Sequence, residues 1–141
     1  MPDLTTAYFD DVIARATVAA VVPREAWSDA EPNKCHLNCE AFVARVVGFQ
    51  LVRGWLVLGG HFCIPRSVVR NNETGILVDI TPEPGDSRIP FVEHLRSEQG
   101  FLILRQGRDG GYAHPPAIGL PSGYGPADPF HHDWAWKVDG S

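Results

Sequence analysis

Three residues have the types and the order for nucleophilic catalysis. They are Cys35, His61 and Asp79, spaced 26 and 18 positions apart. A cysteine attacks carbonyl carbon as its thiolate, and a thiolate is favoured at a helix N-terminus, where unpaired N–H groups carry partial positive charge. The thiol proton needs a base, for which His61 is the first candidate, and the base needs an orienting carboxylate, for which Asp79 is the candidate. His36 and Asn38 flank Cys35 in sequence. His36 is a second candidate base. The amide of Asn38 is a candidate oxyanion donor or histidine support. Trp55 beside Gly54 is a candidate wall of a substrate cleft, and Arg66 a candidate substrate-binding residue or an ion partner for Asp79. The same cysteines allow a different chemistry. Cys35, Cys39, His61 and Cys63 form C-x3-C and H-x-C pairs, a donor set for tetrahedral zinc without the spacing of a standard zinc ribbon. Packing is the plainer reading of Cys39 and Cys63.

The elements that must position these residues follow from periodicity. Apolar residues at helical offsets predict a helix over residues 5–22, capped at Thr5 or Thr6 and ended by Pro23. Residues 23–34 are polar and read as a loop, with Trp27 docking on the body. A second helix is expected over 36–47, with Gly48 as its stop and Cys35 just before its first turn. From Gln50 the period changes. Strands are expected over 50–58, 61–70 and 76–81, with a turn at Gly59-Gly60 and a hairpin loop at 71–75. A short helix is expected over 91–98 and a last strand over 101–105. Helices that precede an antiparallel sheet make an α+β fold. Residues 1–106 are read as one domain. Residues 107–141 hold seven glycines and five prolines in 35 positions and read as an irregular segment. Tyr124, Phe130, Trp134 and Trp136 suggest that this segment lies on the body or on a partner. His131 and His132 read as solvated.

The pieces Cys35-His36-Leu37-Asn38, Gly54-Trp55, Ser67-Val68-Val69 and Leu77-Val78-Asp79-Ile80-Thr81-Pro82 resemble a bacterial and phage group with a transglutaminase-like, papain-like cysteine protein core. The resemblance covers roughly residues 35 to 95. It implies helices packed on a small antiparallel sheet, a nucleophile at Cys35 and an orienting acid at Asp79. The chain departs from that pattern at one place: Arg66 stands where those sequences carry a histidine before the Ser-Val-Val-like strand. A hairpin centred on Glu73 places Asp79 opposite residue 67, which puts His61 about 20 Å further along the strand. Three outcomes stay open. Pro65 bends the strand and brings His61 in, or His36 or a histidine of the C-terminal segment substitutes, or the site is degenerate.

Composition narrows the partners. The chain has 141 residues and a net charge of −5, with no Lys/Arg cluster, so neither nucleic acid nor an anionic membrane is expected as a partner. No apolar run is long enough to cross a bilayer. The opening Met1-Pro2-Asp3-Leu4 has neither a basic nor a long apolar stretch, so no cleaved secretion signal is expected. Three cysteines without such a signal suggest reduced thiols in the cytoplasm. No dinucleotide or phosphate loop is present, so no organic cofactor is expected, with zinc as the alternative. The leading reading is a cysteine-dependent acyl-transfer enzyme (amide hydrolase, deamidase or transamidase) acting on a peptide, protein or small amide. The alternatives are a degenerate version of the same fold that binds or inhibits a partner, and a Cys/His zinc protein.

Overall fold

The computed structural model describes residues 4–83 and 88–114. Within these residues, three helices and an antiparallel sheet make an α+β fold. The helices are α1 (Leu4–Ala16), α2 (Cys35–Arg45) and α3 (Glu98–Arg105), and the strands are β1 (Phe49–Leu58), β2 (Phe62–Asn71), β3 (Leu77–Val78), β4 (Phe91–Glu93) and β5 (Tyr112–Ala113). Sheet order is β3-β2-β1-β4, with β5 also paired to β2.

The β1–β2 hairpin is the frame. Its register runs unbroken from Phe49 opposite Asn71 to Leu58 opposite Phe62. Side chains alternate between faces. Arg53, Trp55 and Val57 of β1, with Cys63, Ser67 and Val69 of β2, therefore point to one face. On it Trp55, Val57 and Cys63 pack with Tyr8, Phe9 and Val12 of α1 and with Phe101 of α3. Val69 packs on the same face with Cys39 and Phe42 of α2. Val52 and Val68 point the other way and meet Phe91 and Val22. With both faces covered, every residue of β2 from Phe62 to Val69 is buried, which is why its sequence reads as an apolar run rather than an alternation.

Several expected elements are corrected. The first helix ends at Ala16, and the chain then runs on until Val21 bridges Pro90. Residues 23–27, expected as a loop, lie beside the continuation of β3. Glu25 N–H donates to the Asp79 carbonyl and Trp27 N–H to that of Ile80, while Asp79 N–H donates to Pro23, giving a parallel bridge between Arg24 and Asp79. Trp27 does dock on the body, edge-on to Phe42. Residues 91–93 are strand and residues 98–105 are helix, the reverse of the expected order. Ser97 decides the second of these. Its hydroxyl accepts from Gly100 N–H at 3.0 Å, an N-cap that outweighs the β-propensity of Phe101-Leu102-Ile103-Leu104. In the segment expected to be irregular, Tyr112 and Ala113 form β5 on β2. Tyr124, Phe130, His131, His132, Trp134 and Trp136 lie outside the described residues. Among the described residues no helix is long and apolar enough to cross a membrane.

Candidate functional site

Cys35 opens α2, and its side chain is fully buried. No side chain caps this helix at Lys34, and the partial positive charge of an uncapped first turn favours thiolate in general. Burial nevertheless raises the Cys35 pKa, outweighing the nearby Arg66 charge and a hydrogen bond with the Ser67 main chain, both of which act to lower it.

Arg66, on the central strand β2, is 1% exposed. Its Nε and Nη2 donate to the same oxygen of Asp79, at 3.1 and 2.7 Å, and its Nη1 donates to Glu83. The other oxygen of Asp79 accepts Thr81 N–H at 3.1 Å. Burial alone would lower the Arg66 pKa, but Asp79 and Glu83 outweigh it and hold the guanidinium firmly protonated. Asn38 ties the first turn of α2 to this cluster. Its Nδ2 donates to Thr81 Oγ1 at 3.1 Å and to the Glu31 carbonyl at 2.8 Å, and its Oδ1 accepts Glu31 N–H at 3.0 Å. Both amide hydrogens are thereby engaged. Asn38 staples the preceding loop to the strand rather than offering a free oxyanion donor.

Neither candidate histidine is hydrogen-bonded to Arg66, Asp79 or Asn38. His61 is exposed in the β1–β2 turn, its carbonyl accepting His114 N–H at 2.8 Å. Five strand positions, roughly 17 Å, separate it from Arg66. The bend proposed at Pro65 does not occur, since Pro65 pairs with Trp55 in uninterrupted register. Asn71 N–H donates outward to Ile76, so by alternation Pro65, six positions away, presents its missing N–H to that same edge of β2. The edge is paired at one end by β5 and at the other by β3. His36 is buried, with Nδ1 2.6 Å from Ser67 Oγ. Burial, with the charges of Arg105, Arg53 and Arg66, pulls its pKa down to about 3, so the ring is neutral. Its Nε2 has no partner among the described residues.

Trp55 is core rather than cleft wall. Its Nε1 donates to Tyr8 Oη at 2.8 Å, and Tyr8 lies 2.7 Å from His94 Nδ1. His94 Nε2 lies 2.8 Å from the Ser97 carbonyl. A carbonyl only accepts, so the proton sits on Nε2 and Nδ1 accepts from Tyr8. Cys63 lies with Trp55, whereas Cys39 lies with Phe42, Val69 and Ile80. Among the described residues no group of three or more His, Cys, Asp or Glu is placed to hold a metal ion. The zinc alternative has no site there. The burial of Cys63 pushes its pKa up to about 12, as expected of a packing thiol.

Sequence reasoning missed three residues. Arg53 is buried. It donates through Nε and Nη2 to the two oxygens of Glu98 at 3.0 and 2.7 Å, through Nη2 to Glu40 at 2.8 Å and through Nη1 to Ser67 Oγ at 2.8 Å. A lone arginine in the apolar run Gln50–Leu58 was the available signal. Ser67 and His94 carried none of comparable strength.

A groove of about 720 Å³ opens beside β3, lined by Trp27, Phe42, Phe49, Ile76, Val78 and Ile80 together with polar residues such as Glu25, Asn71 and Thr74. Comparison with protein-family models, with curated proteins and with solved structures finds no match to this chain.

Proposed function

We propose that this chain is a non-covalent binding protein on a scaffold resembling the transglutaminase-like, papain-like core, its cysteine site closed to acyl transfer. Arg66 carries this reading. It stands where the resemblance calls for the base, and a guanidinium does not give up its proton in a protein, so it cannot take one from Cys35. It also occupies the Asp79 carboxylate that would have oriented an imidazole. Cys35 is sealed from solvent, and its raised pKa leaves it a thiol at neutral pH. The groove beside β3 has the volume and apolar lining of a recognition surface. An acidic chain suits a protein or peptide partner rather than nucleic acid or an anionic membrane. Three free cysteines are consistent with the cytoplasm.

A second reading, cysteine-dependent acyl transfer to a peptide, protein or small amide, is favoured by one observation. The Arg66 charge and the Ser67 hydrogen bond both act on Cys35 in the direction of thiolate. One experiment separates the two. The native protein is alkylated with iodoacetamide between about pH 5 and about pH 9, and the modified cysteine is mapped by mass spectrometry. The binding reading expects Cys35 to label about 100-fold more slowly than an exposed thiol, at a rate set by opening of the fold. Fast, selective labelling of Cys35 below about pH 7 would overturn it in favour of the enzyme.

A further inference from the structure

We propose that the groove beside β3 takes an extended peptide segment of another protein, apolar with lysine or arginine interspersed, which adds to the sheet as a strand at the open edge of β3. The main chain provides the edge. Asn71 N–H donates to Ile76, so by alternation Leu77, paired with Arg70, directs its N–H and carbonyl away from β2. On that outer side residues 23–25 run parallel to β3 and make two hydrogen bonds with Asp79. The ladder would continue with the N–H of residue 23 donating to the Leu77 carbonyl, but residue 23 is proline and has no N–H. Val21 bridges Pro90 instead. Leu77 therefore keeps an N–H and a carbonyl without a hydrogen-bond partner among the described residues, and it lines the groove. Such an edge is a template for one more strand.

The lining selects the side chains. Phe42 stands edge-on to both Trp27 and Phe49, with ring centroids 5.2 and 5.1 Å away, and Ile76 beside them is 61% exposed, so apolar side chains of an added strand have a seat. Charge selects the rest. Glu25 lines this groove, and Glu73 lines the adjoining hollow that shares Phe49 and Asn71 with it. Both glutamates are exposed, and neither has an ion pair among the described residues. The cations that flank the lining in sequence, Arg24, Arg45 and Arg70, are already paired with Glu83, Asp29 and Glu93. The rim is thus left acidic and complements a basic segment. Exposed charges contribute selectivity more than affinity, which comes from the main chain and the apolar seat.

The proposal names a partner class for the binding reading and rests on it, but not on Cys35. Its failure would leave the alkylation result, by which that reading stands, untouched. The test uses the full chain with labelled backbone amides and labelled Ile and Val methyl groups. The probes are two synthetic peptides of about seven residues, one alternating valine with lysine and the other valine with glutamate. The lysine peptide should move the methyl resonances of Ile76, Val78 and Ile80 and leave those of Val12 and Val57 in place. It should also shift the Leu77 amide and slow its hydrogen exchange, as a new main-chain hydrogen bond requires. The glutamate peptide should bind at least about tenfold more weakly. Glu25→Gln/Glu73→Gln, at two exposed positions, should weaken the lysine peptide roughly fivefold. Unmoved groove methyls, or equal binding of the two peptides, would overturn the proposal. Groove shifts with no response at the Leu77 amide would overturn strand addition. Shifts that follow protein concentration with no peptide present would overturn the peptide assignment and make the occupant a second copy of this chain.

Discussion

Arg66 and Asp79 form a buried ion pair with little access to water, their side chains being 1% and 6% exposed, and among the described residues only Glu83 and the Thr81 N–H offer other partners. Breaking such a pair from one side leaves a charge stranded, at a cost of about 3–5 kcal/mol, whereas replacing both members with apolar groups is often close to neutral. Asp79→Asn is therefore expected to lower the urea unfolding free energy by about 3 kcal/mol. Arg66→Met/Asp79→Leu should cost much less than the two single substitutions added together. A loss under about 1 kcal/mol for Asp79→Asn would show that Glu83 alone neutralises Arg66. Asp79 was legible in the sequence because a carboxylate inside Leu77-Val78-Asp79-Ile80 must find a partner. Arg66 was legible as that partner for the same reason. His61 misled because a histidine at a strand head carries no mark of which end of the strand the site occupies.

Among the elements, the hairpin was legible and its neighbours less so. The Asn71–Gly75 loop and the β-branched runs on either side fixed β2 against β3 to within one residue. Val69 pairs with Val78, so Asp79 falls opposite Val68 rather than residue 67. Gly54-Trp55 was noted for its tryptophan, yet the glycine is the tighter constraint. A Cβ at Gly54 would sit 2.3 Å from the Val92 carbonyl oxygen and 2.5 Å from the Phe91 ring. The first neighbour is backbone held in the β1–β4 ladder, so it cannot step aside. Gly54→Ala should destabilise by about 2 kcal/mol or more, through overpacking rather than backbone strain. The expected signature is a lowered denaturation midpoint with an unchanged denaturant slope, and a variant as stable as the parent would contradict the close approach. The ends of the chain's elements were harder to read. Pairing of residues 23–27 with 79–80 joins positions more than 50 apart through polar sequence, and no local period records it. At 101–105 the apolar run reads as a strand by itself, and the residue that turns it into helix is a single serine, Ser97, the N-cap ahead of it.

At the scale of the whole molecule, two buried histidines, His36 and His94, make stability depend on pH in one direction. His36 is held neutral down to about pH 3, and burial also lowers the pKa of His94, helped by the charges of Arg96 and Arg15. Above the unfolded value of about 6.5 the histidines are neutral in both states, and their contribution is complete. Below it the unfolded chain takes up protons that the folded chain refuses, so stability falls with pH. For His36 the slope is up to about 1.4 kcal/mol per pH unit between roughly pH 6 and pH 3. Glu98 acts in the same sense at lower pH. Its hydrogen bond from Arg53 lowers its pKa, so that contribution, present above the unfolded carboxylate value, is lost as the pH falls through the folded one. These groups bind the helices to the sheet, His36 from α2, His94 beside α3 and Glu98 within it, so acid should loosen the helical layer as a unit. Urea titrations at pH 7, 6, 5 and 4 should show the unfolding free energy falling continuously. His36→Asn, which keeps a polar group facing Ser67 but cannot take up the proton, should flatten the fall between pH 6 and pH 4 while leaving the fold intact at pH 7. An unchanged slope in that variant would mean that His36 is not the group that resists protonation, and that the acid response comes from His94 and Glu98 alone.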